Sequence, residues 1–166
     1  MDRLYSPWRM EYLSGPRPEP GSCFLCDAVA SHDDAASLVV HRAERAIVVM
    51  NRYPYNSGHV MVVPVRHVGD LELLEPEERA AIMELSAATV AAIKAEMHPE
   101  AFNVGMNLGR PAGAGAPDHL HAHVVPRWVG DTNFMPILAG TLVLPEALEV
   151  TREKLSRRFA EQAAGR

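Results

Sequence analysis

Three histidines at alternate positions, His119-Leu-His121-Ala-His123, followed by Val-Val-Pro126, carry the sharpest chemical signal in the chain. Successive side chains on a β-strand point to opposite faces. His119, His121 and His123 therefore share one face, while Leu120, Ala122 and Val124 take the other, toward a core. A merely solvated face would be served equally well by Ser, Thr, Lys or Glu, and three adjacent imidazoles repel one another once protonated. Such a row binds a metal or acts on an anion. Two chemistries compete. In one, the three imidazoles hold a single catalytic transition metal. In the other, one imidazole is a nucleophile and its neighbours hold the phosphate it attacks.

The surroundings favour the second chemistry. Gly109, Gly113 and Gly115 precede the row and permit close backbone approach to a ligand, as phosphate-cradling loops require. Asn51, Asn56 and Asn107 offer neutral amides suited to ribose hydroxyls and phosphate oxygens. The carboxylate nearest in sequence, Asp118, should point to the opposite face. A second cluster is Cys23-x-x-Cys26, the only two cysteines. Two cysteines are too few for a secreted disulfide framework, and a redox pair would need a βαβ context that is missing here. The choice lies between half of a metal site and two buried free thiols.

These residues need elements to position them. Leu38–Arg42 and Ala46–Met50 are short β-branched runs with a small polar break between them, a hairpin signal. Residues 51–58 are turn chemistry, and His59–Pro64 reads as a third strand. Pro76, Glu77 and Glu78 open a helix over about residues 76–97, with Ile82, Leu85, Thr89, Ile93 and Met97 as its apolar stripe. Phe102–Asn107 and Leu120–Pro126 are the fourth and fifth strands, separated by a Gly/Pro-rich loop. Leu148, Thr151, Leu155 and Phe159 mark a C-terminal helix opened by Pro145 and Glu146, and Pro/Gly-rich residues 15–22 read as a linker. Short loops suit hairpins rather than crossovers, so the expected class is α+β on a five-stranded antiparallel sheet.

Composition bounds the rest. A chain of 166 residues fits one domain. A domain of this size buries roughly 70% of its unfolded surface and needs no disulfides. With 48% hydrophobic and 22% charged residues, wholesale disorder is excluded. A net charge of -5 gives no general attraction to nucleic acid or anionic membranes, so neither is an expected partner. The first residues, MDRLYSPWRMEYL, lack the apolar stretch of a signal peptide, and no run reaches a membrane span. The expected location is the cytoplasm.

The motif His119-Leu-His121-Ala-His123-Val-Val resembles the His-φ-His-φ-His-φ-φ signature of the histidine triad (HIT) nucleotide hydrolases and transferases. The resemblance extends to Asn51, Pro54, Gly58-His59-Val, Pro64, His67 and Pro126-Arg127, and covers roughly residues 23–130. The run Arg127-Trp128-Val-Gly130-Asp131-Thr-Asn133-Phe134 resembles the bacterial branch that includes diadenosine polyphosphate phosphorylases. The resemblance implies a HIT domain over 23–135, an N-terminal extension over 1–22 and a C-terminal segment with a helix over 136–166. It implies His121 as the nucleophile that becomes a nucleotidyl-histidine. His123 matches a residue that contacts the transferred phosphate and helps the leaving group depart, and His59 matches a further histidine against the phosphate. Asn51 matches the ribose contact, and Asn107 a phosphate-side polar position. Histidine rather than glutamine at the third triad position favours hydrolysis or phosphorolysis over sugar-phosphate transfer. Relatives often place a Ser or Thr just before the triad, whereas Ala114-Gly-Ala-Pro117 has no hydroxyl, and backbone N–H groups of Gly113 or Gly115 are the substitutes available. CxxC-bearing relatives implicate Cys23, Cys26, His67 and His119 as a closed structural zinc site, with no catalytic cofactor required. A homodimer formed by extending the sheet and a nucleotide or dinucleoside polyphosphate substrate complete what the family implies, the alternative being a nucleotide-binding protein whose catalysis is vestigial.

Overall fold

The computed structural model describes residues 22–131 and 144–165. Most of the expected N-terminal extension lies outside the described residues, as do Asn133 and Phe134. Among the described residues, three α-helices, α1 (Phe24–Ala30), α2 (Pro76–Met97) and α3 (Leu148–Ala164), accompany five strands. The strands are β1 (Val39–Arg42), β2 (Ala46–Met50), β3 (Val60–Pro64), β4 (Ala101–Met106) and β5 (Ala122–Arg127). They form one antiparallel sheet in the order β1-β2-β3-β5-β4. This is the α+β architecture expected from the sequence.

The central strands β2 and β3 bury all five of their residues, which is why they read as continuous apolar runs rather than as alternating patterns. Helix α2 crosses β2, β3 and β5 and packs on α3, which in turn covers β1. The α2 stripe is as expected: Ile82, Leu85, Thr89 and Ile93 are buried and Met97 half-buried. Pro76 occupies its first turn, the Glu75 N–H donates to Glu78 Oε2 at 2.8 Å, and His98 closes it in the left-handed region. On α3, Thr151, Leu155 and Phe159 are the buried positions.

Two features depart from the expectation. The seven-residue α1 follows directly on Cys23. It was not anticipated, because its buried positions, Leu25 and Ala28, are too few to show a period. The fifth strand begins at Ala122 rather than Leu120, so His119 and His121 precede the regular ladder. Both faces are covered there: His119 and Leu120 are buried alike, as are His121 and Ala122.

Candidate functional site

Two groups of side chains occupy opposite ends of the triad segment. The first is built around α1. Cys23 stands at its N-cap and Cys26 one turn on, so the CxxC spacing brings both thiols to one side of the helix start. The Leu120 N–H donates to Val68 O at 2.7 Å, which draws the segment after β3 against the triad. At Gly69 an added Cβ would meet Pro117 O at 2.6 Å, so only glycine permits this approach. His67 and His119 thereby come within 5.0 Å, ring centre to ring centre.

His119 Nδ1 lies 3.4 Å from both sulfurs, and His67 Nδ1 lies 3.1 Å from Cys26 Sγ. Donor atoms of Cys23, Cys26, His67 and His119 all fall within 4.8 Å of one another. Tetrahedral zinc, with bonds of about 2.0–2.3 Å to N and S, needs ligand separations of about 3.3–3.8 Å, which this set meets with small adjustments. His119 Nε2 donates to Pro64 O at 2.9 Å, so its Nδ1 lone pair faces the thiols. Burial, then the neighbouring Cys23 thiol, pushes Cys26 up to about 11. A bound cation would reverse that by coordinating the thiolate. The residues fit a metal.

The second group is His59, His121 and His123. In register His123 faces Met61 on β3 and Gly105 on β4, and its ring lies 4.9 Å from that of His121 and 5.1 Å from that of His59. His59 enters from the loop before β3 through Gly58, which has φ +76°; a Cβ there would meet Met97 Sδ at 2.7 Å. The tautomers follow from backbone partners that have only one polarity. His121 Nδ1 must donate to the His119 carbonyl at 2.9 Å, leaving its Nε2 with a lone pair. Burial lowers the His121 pKa, partly offset by that hydrogen bond, and so favours the neutral ring. His59 Nδ1 must accept the Tyr55 N–H at 3.0 Å, so His59 Nε2–H donates to His123 Nδ1 at 2.9 Å. Burial first, then the charges of His123 and His121, hold the His59 pKa down to about 3.

The remaining expected residues are placed as follows. Asn51 Oδ1 accepts the Tyr53 N–H, and its Nδ2 lies 3.4 Å from His59 Nε2, too long for a good hydrogen bond between two donors. Asn107 directly follows Met106, the last β4 residue paired with β5. Gly113, in the left-handed region at φ 91°, and Gly115 lie in the loop leading to His119. Asn56 does not offer its amide to a ligand. Its Nδ2 donates to Pro126 O and Asp131 Oδ2, and its Oδ1 accepts the Ser57 N–H. Arg127 is likewise bound to Asp131 and Asn103. Among the described residues, the metal-binding geometry collects Cys23, Cys26, His67 and His119, not His119 with His121 and His123.

Tyr55 was not anticipated as a site residue. Besides its N–H, its ring lies 4.6 Å from that of His59 and 5.7 Å from that of His123. Pro54 and Asn56 announce a turn in the sequence, but nothing in the turn signal tells which side chain folds back onto the histidines.

An antiparallel sheet that places a buried imidazole with a directed lone pair beside two more imidazoles defines a histidine triad enzyme, and the comparisons agree. Residues 33–129 match the HIT domain family model, and the chain belongs to that family. It is an enzyme of the nucleotidyl hydrolase or transferase type. Over 168 aligned residues the chain is 40% identical to AP-4-A phosphorylase of Mycobacterium tuberculosis, covering 98% of this chain and 86% of that protein. It shares its fold with a Zn-bound histidine triad family protein from Mycobacterium smegmatis (TM-score 0.71, 24% identity, covering 87% of this chain and 98% of the other). Plasmodium falciparum diadenosine triphosphate hydrolase in complex with Cyclomarin A also shares it (TM-score 0.63, 16% identity, 96% and 98% covered).

Proposed function

We propose that this enzyme cleaves dinucleoside polyphosphates, diadenosine polyphosphates foremost, through a nucleotidyl group carried on His121. The observation that carries the reading is the 2.9 Å hydrogen bond from His121 Nδ1 to the His119 carbonyl, which presents the Nε2 lone pair as a nucleophile. Nε2 attacks the α-phosphorus, the P–N bond forms, and the P–O bond to the departing polyphosphate breaks with its electron pair on oxygen. Phosphate or water then attacks the same phosphorus, and the P–N pair returns to Nε2. His123, held by His59, donates to the phosphate through Nε2–H. Asn51 receives the ribose, and Asn107 with the backbone of Gly113 and Gly115 lines the phosphate side. The 40% identity to AP-4-A phosphorylase supports phosphate as the acceptor.

Cys23, Cys26, His67 and His119 would hold one structural zinc, closed by four protein ligands and therefore without an open catalytic position. Its chemistry is to tie α1 to the triad segment. The rival in which His119, His121 and His123 share a catalytic ion is disfavoured, because His119 directs Nδ1 to the thiols and His121 directs Nδ1 to a carbonyl. Strand β4 lies at the sheet edge with Val104 51% exposed, which suits a homodimer that continues the sheet. No helix among the described residues is long and apolar enough to cross a membrane, and a thiol-based metal site suits the reducing cytoplasm.

The test is product analysis on diadenosine tetraphosphate with and without inorganic phosphate, comparing wild type with His121→Ala. ADP and ATP formed only with phosphate identify a phosphorylase, and AMP with ATP a hydrolase. Undiminished cleavage by the variant would overturn the covalent mechanism.

A further inference from the structure

The connection between β2 and β3 carries two residues of the site, Asn51 at its start and His59 at its end. Its backbone is closed by the Asn51 N–H, which donates to His59 O at 3.0 Å, and by the His59 N–H, which donates to Asn56 O at 3.2 Å. The placement of Asn56 therefore bears on both. What places Asn56 lies 75 residues along the chain. Its Nδ2 donates to Asp131 Oδ2 at 2.8 Å and to Pro126 O at 3.1 Å. Both partners are acceptors, so the amide takes one orientation only, and its Oδ1 is left to accept the Ser57 N–H at 3.0 Å. Pro126 meets the connection again at Gly58, where an added Cβ would come within 3.2 Å of the proline Cγ.

Asp131 is held in turn by the sheet. Its side chain is 9% exposed and accepts Arg127 Nε at 2.6 Å on Oδ2 and Arg127 Nη2 at 2.9 Å on Oδ1. This is a two-point, charge-assisted pair that fixes the plane of the carboxylate. The Trp128 N–H adds a bond to Oδ2 at 3.2 Å. Arg127 ends β5, stands opposite Ala101 on β4, and donates through Nη1 to Asn103 Oδ1 at 3.0 Å. A continuous path of directed bonds thus runs from the β4–β5 ladder through Arg127, Asp131 and Asn56 to the backbone of His59 and Asn51. The Arg127-to-Asp131 run has no other task in the chemistry.

We propose that Asp131, with Arg127 behind it and Asn56 before it, is a positioning residue that latches the 51–59 connection and so makes recognition of the substrate's ribose depend on it. The proposal rests on the reading of Asn51 as the ribose contact. Asp131 acts through Asn56 on where Asn51 stands. Loosening the latch leaves the substrate's phosphates their partners and weakens the distinction between a ribose that carries hydroxyls and one that lacks them.

The experiment compares kcat/KM for diadenosine tetraphosphate with that for its analogue lacking the 2′ and 3′ hydroxyls on both riboses. Asn56→Asp keeps the oxygen that accepts the Ser57 N–H but turns a second oxygen on Asp131 and Pro126 O. Asp131→Asn keeps the shape and halves the accepting edge. Arg158→Met, which breaks the ion pair to Glu96 between α2 and α3, is a destabilised control away from the latch. Wild type is expected to favour the hydroxylated substrate at least about tenfold, as lost hydrogen bonds of about 1.4 kcal/mol in all require. That preference should fall below about threefold in Asn56→Asp and in Asp131→Asn, and persist in Arg158→Met. Amide hydrogen exchange at His59 and Asn51 should quicken at least about tenfold in the two latch variants and not in the control. Wild-type preference and exchange in both latch variants, or equal losses in Arg158→Met, overturn the proposal. If Asn56→Asp does not fold, Asp131→Asn decides. If wild type shows no ribose preference, or Asn51→Ala leaves it unaltered, the Asn51 reading fails, and the exchange rates alone uphold or overturn the latch.

Discussion

Replacing Arg42 with methionine should loosen the helix that carries both thiols. The Arg42 guanidinium donates to three carbonyls at the end of α1: Ala28 O at 2.9 Å, Val29 O at 2.8 Å and Ser31 O at 2.8 Å. These are acceptors that a helix C-terminus leaves without intrahelical partners. Helix α1 is too short to persist without such anchoring. A hydrogen bond to a charged group contributes about 1.5–3 kcal/mol at a buried site. Here the side chain keeps 31% of its exposure and the freed carbonyls regain water. The three bonds together are therefore worth about 2 kcal/mol. The salt bridge to Asp34, half exposed, adds little. Methionine keeps most of the apolar stem, which isolates the loss of the guanidinium. For a protein of this length, 2 kcal/mol lowers the melting temperature by about 4–8 °C. Because Cys23 and Cys26 ride on α1, zinc affinity measured by competition with a chromophoric chelator should fall about tenfold or more. A melting temperature within about 1 °C of wild type would refute the capping argument.

Further outcomes follow from the same structure. Cys26→Ser should abolish stoichiometric zinc in elemental analysis and lower the melting temperature, while a chelated wild type should melt at the variant's temperature. If zinc stays at one per chain, the ligand set is wrong. The His59 pKa falls from 6.5 to about 3 on folding, so between those values the unfolded chain binds the extra proton and stability is lost as pH falls. The slope, up to about 1.4 kcal/mol per pH unit below 6.5, should flatten in His59→Gln when denaturant midpoints are followed from pH 7 to 4. An identical slope in the variant would show that His59 is not the group responsible. On the β4 edge, Val104→Lys should shift the mass seen by light scattering from dimer to monomer. A mass unchanged by the substitution would place any dimer contact elsewhere.

Much of this molecule was legible before its coordinates. Helix α2 was bounded correctly because its apolar stripe is long, Pro76 sets its start and Pro99 follows its end. Cys23, Cys26, His67 and His119, whose donor atoms the fold gathers, and His59, His121 and His123, whose rings it sets side by side, were named from spacing and family resemblance. What was not legible is the part that depends on tertiary contacts. Helix α1 has too few buried residues to reveal a period and depends on Arg42, some thirteen residues away in sequence. The triad was expected to line one face of a strand, with the other face toward the core. Instead His119 and His121 precede the ladder and are themselves buried, one turned to the thiols and the other to a carbonyl. Asn56 and Arg127 carry side chains suited to phosphate, yet both are engaged by Asp131, a partner that residue type alone does not reveal. Tyr55 acts on the site through its backbone, and a backbone N–H leaves no mark in the sequence.

The central claim is that His121 Nε2 takes the nucleotidyl group. Quenching the enzyme in alkaline denaturant milliseconds after mixing with diadenosine tetraphosphate, followed by intact mass and peptide mapping under non-acidic conditions, tests it most directly. One added adenylyl group is expected on the peptide containing His121, sensitive to acid and stable to base as a phosphoramidate is, and absent from His121→Ala. Substrate turned over with no label at His121, or with the label on another residue, would contradict it.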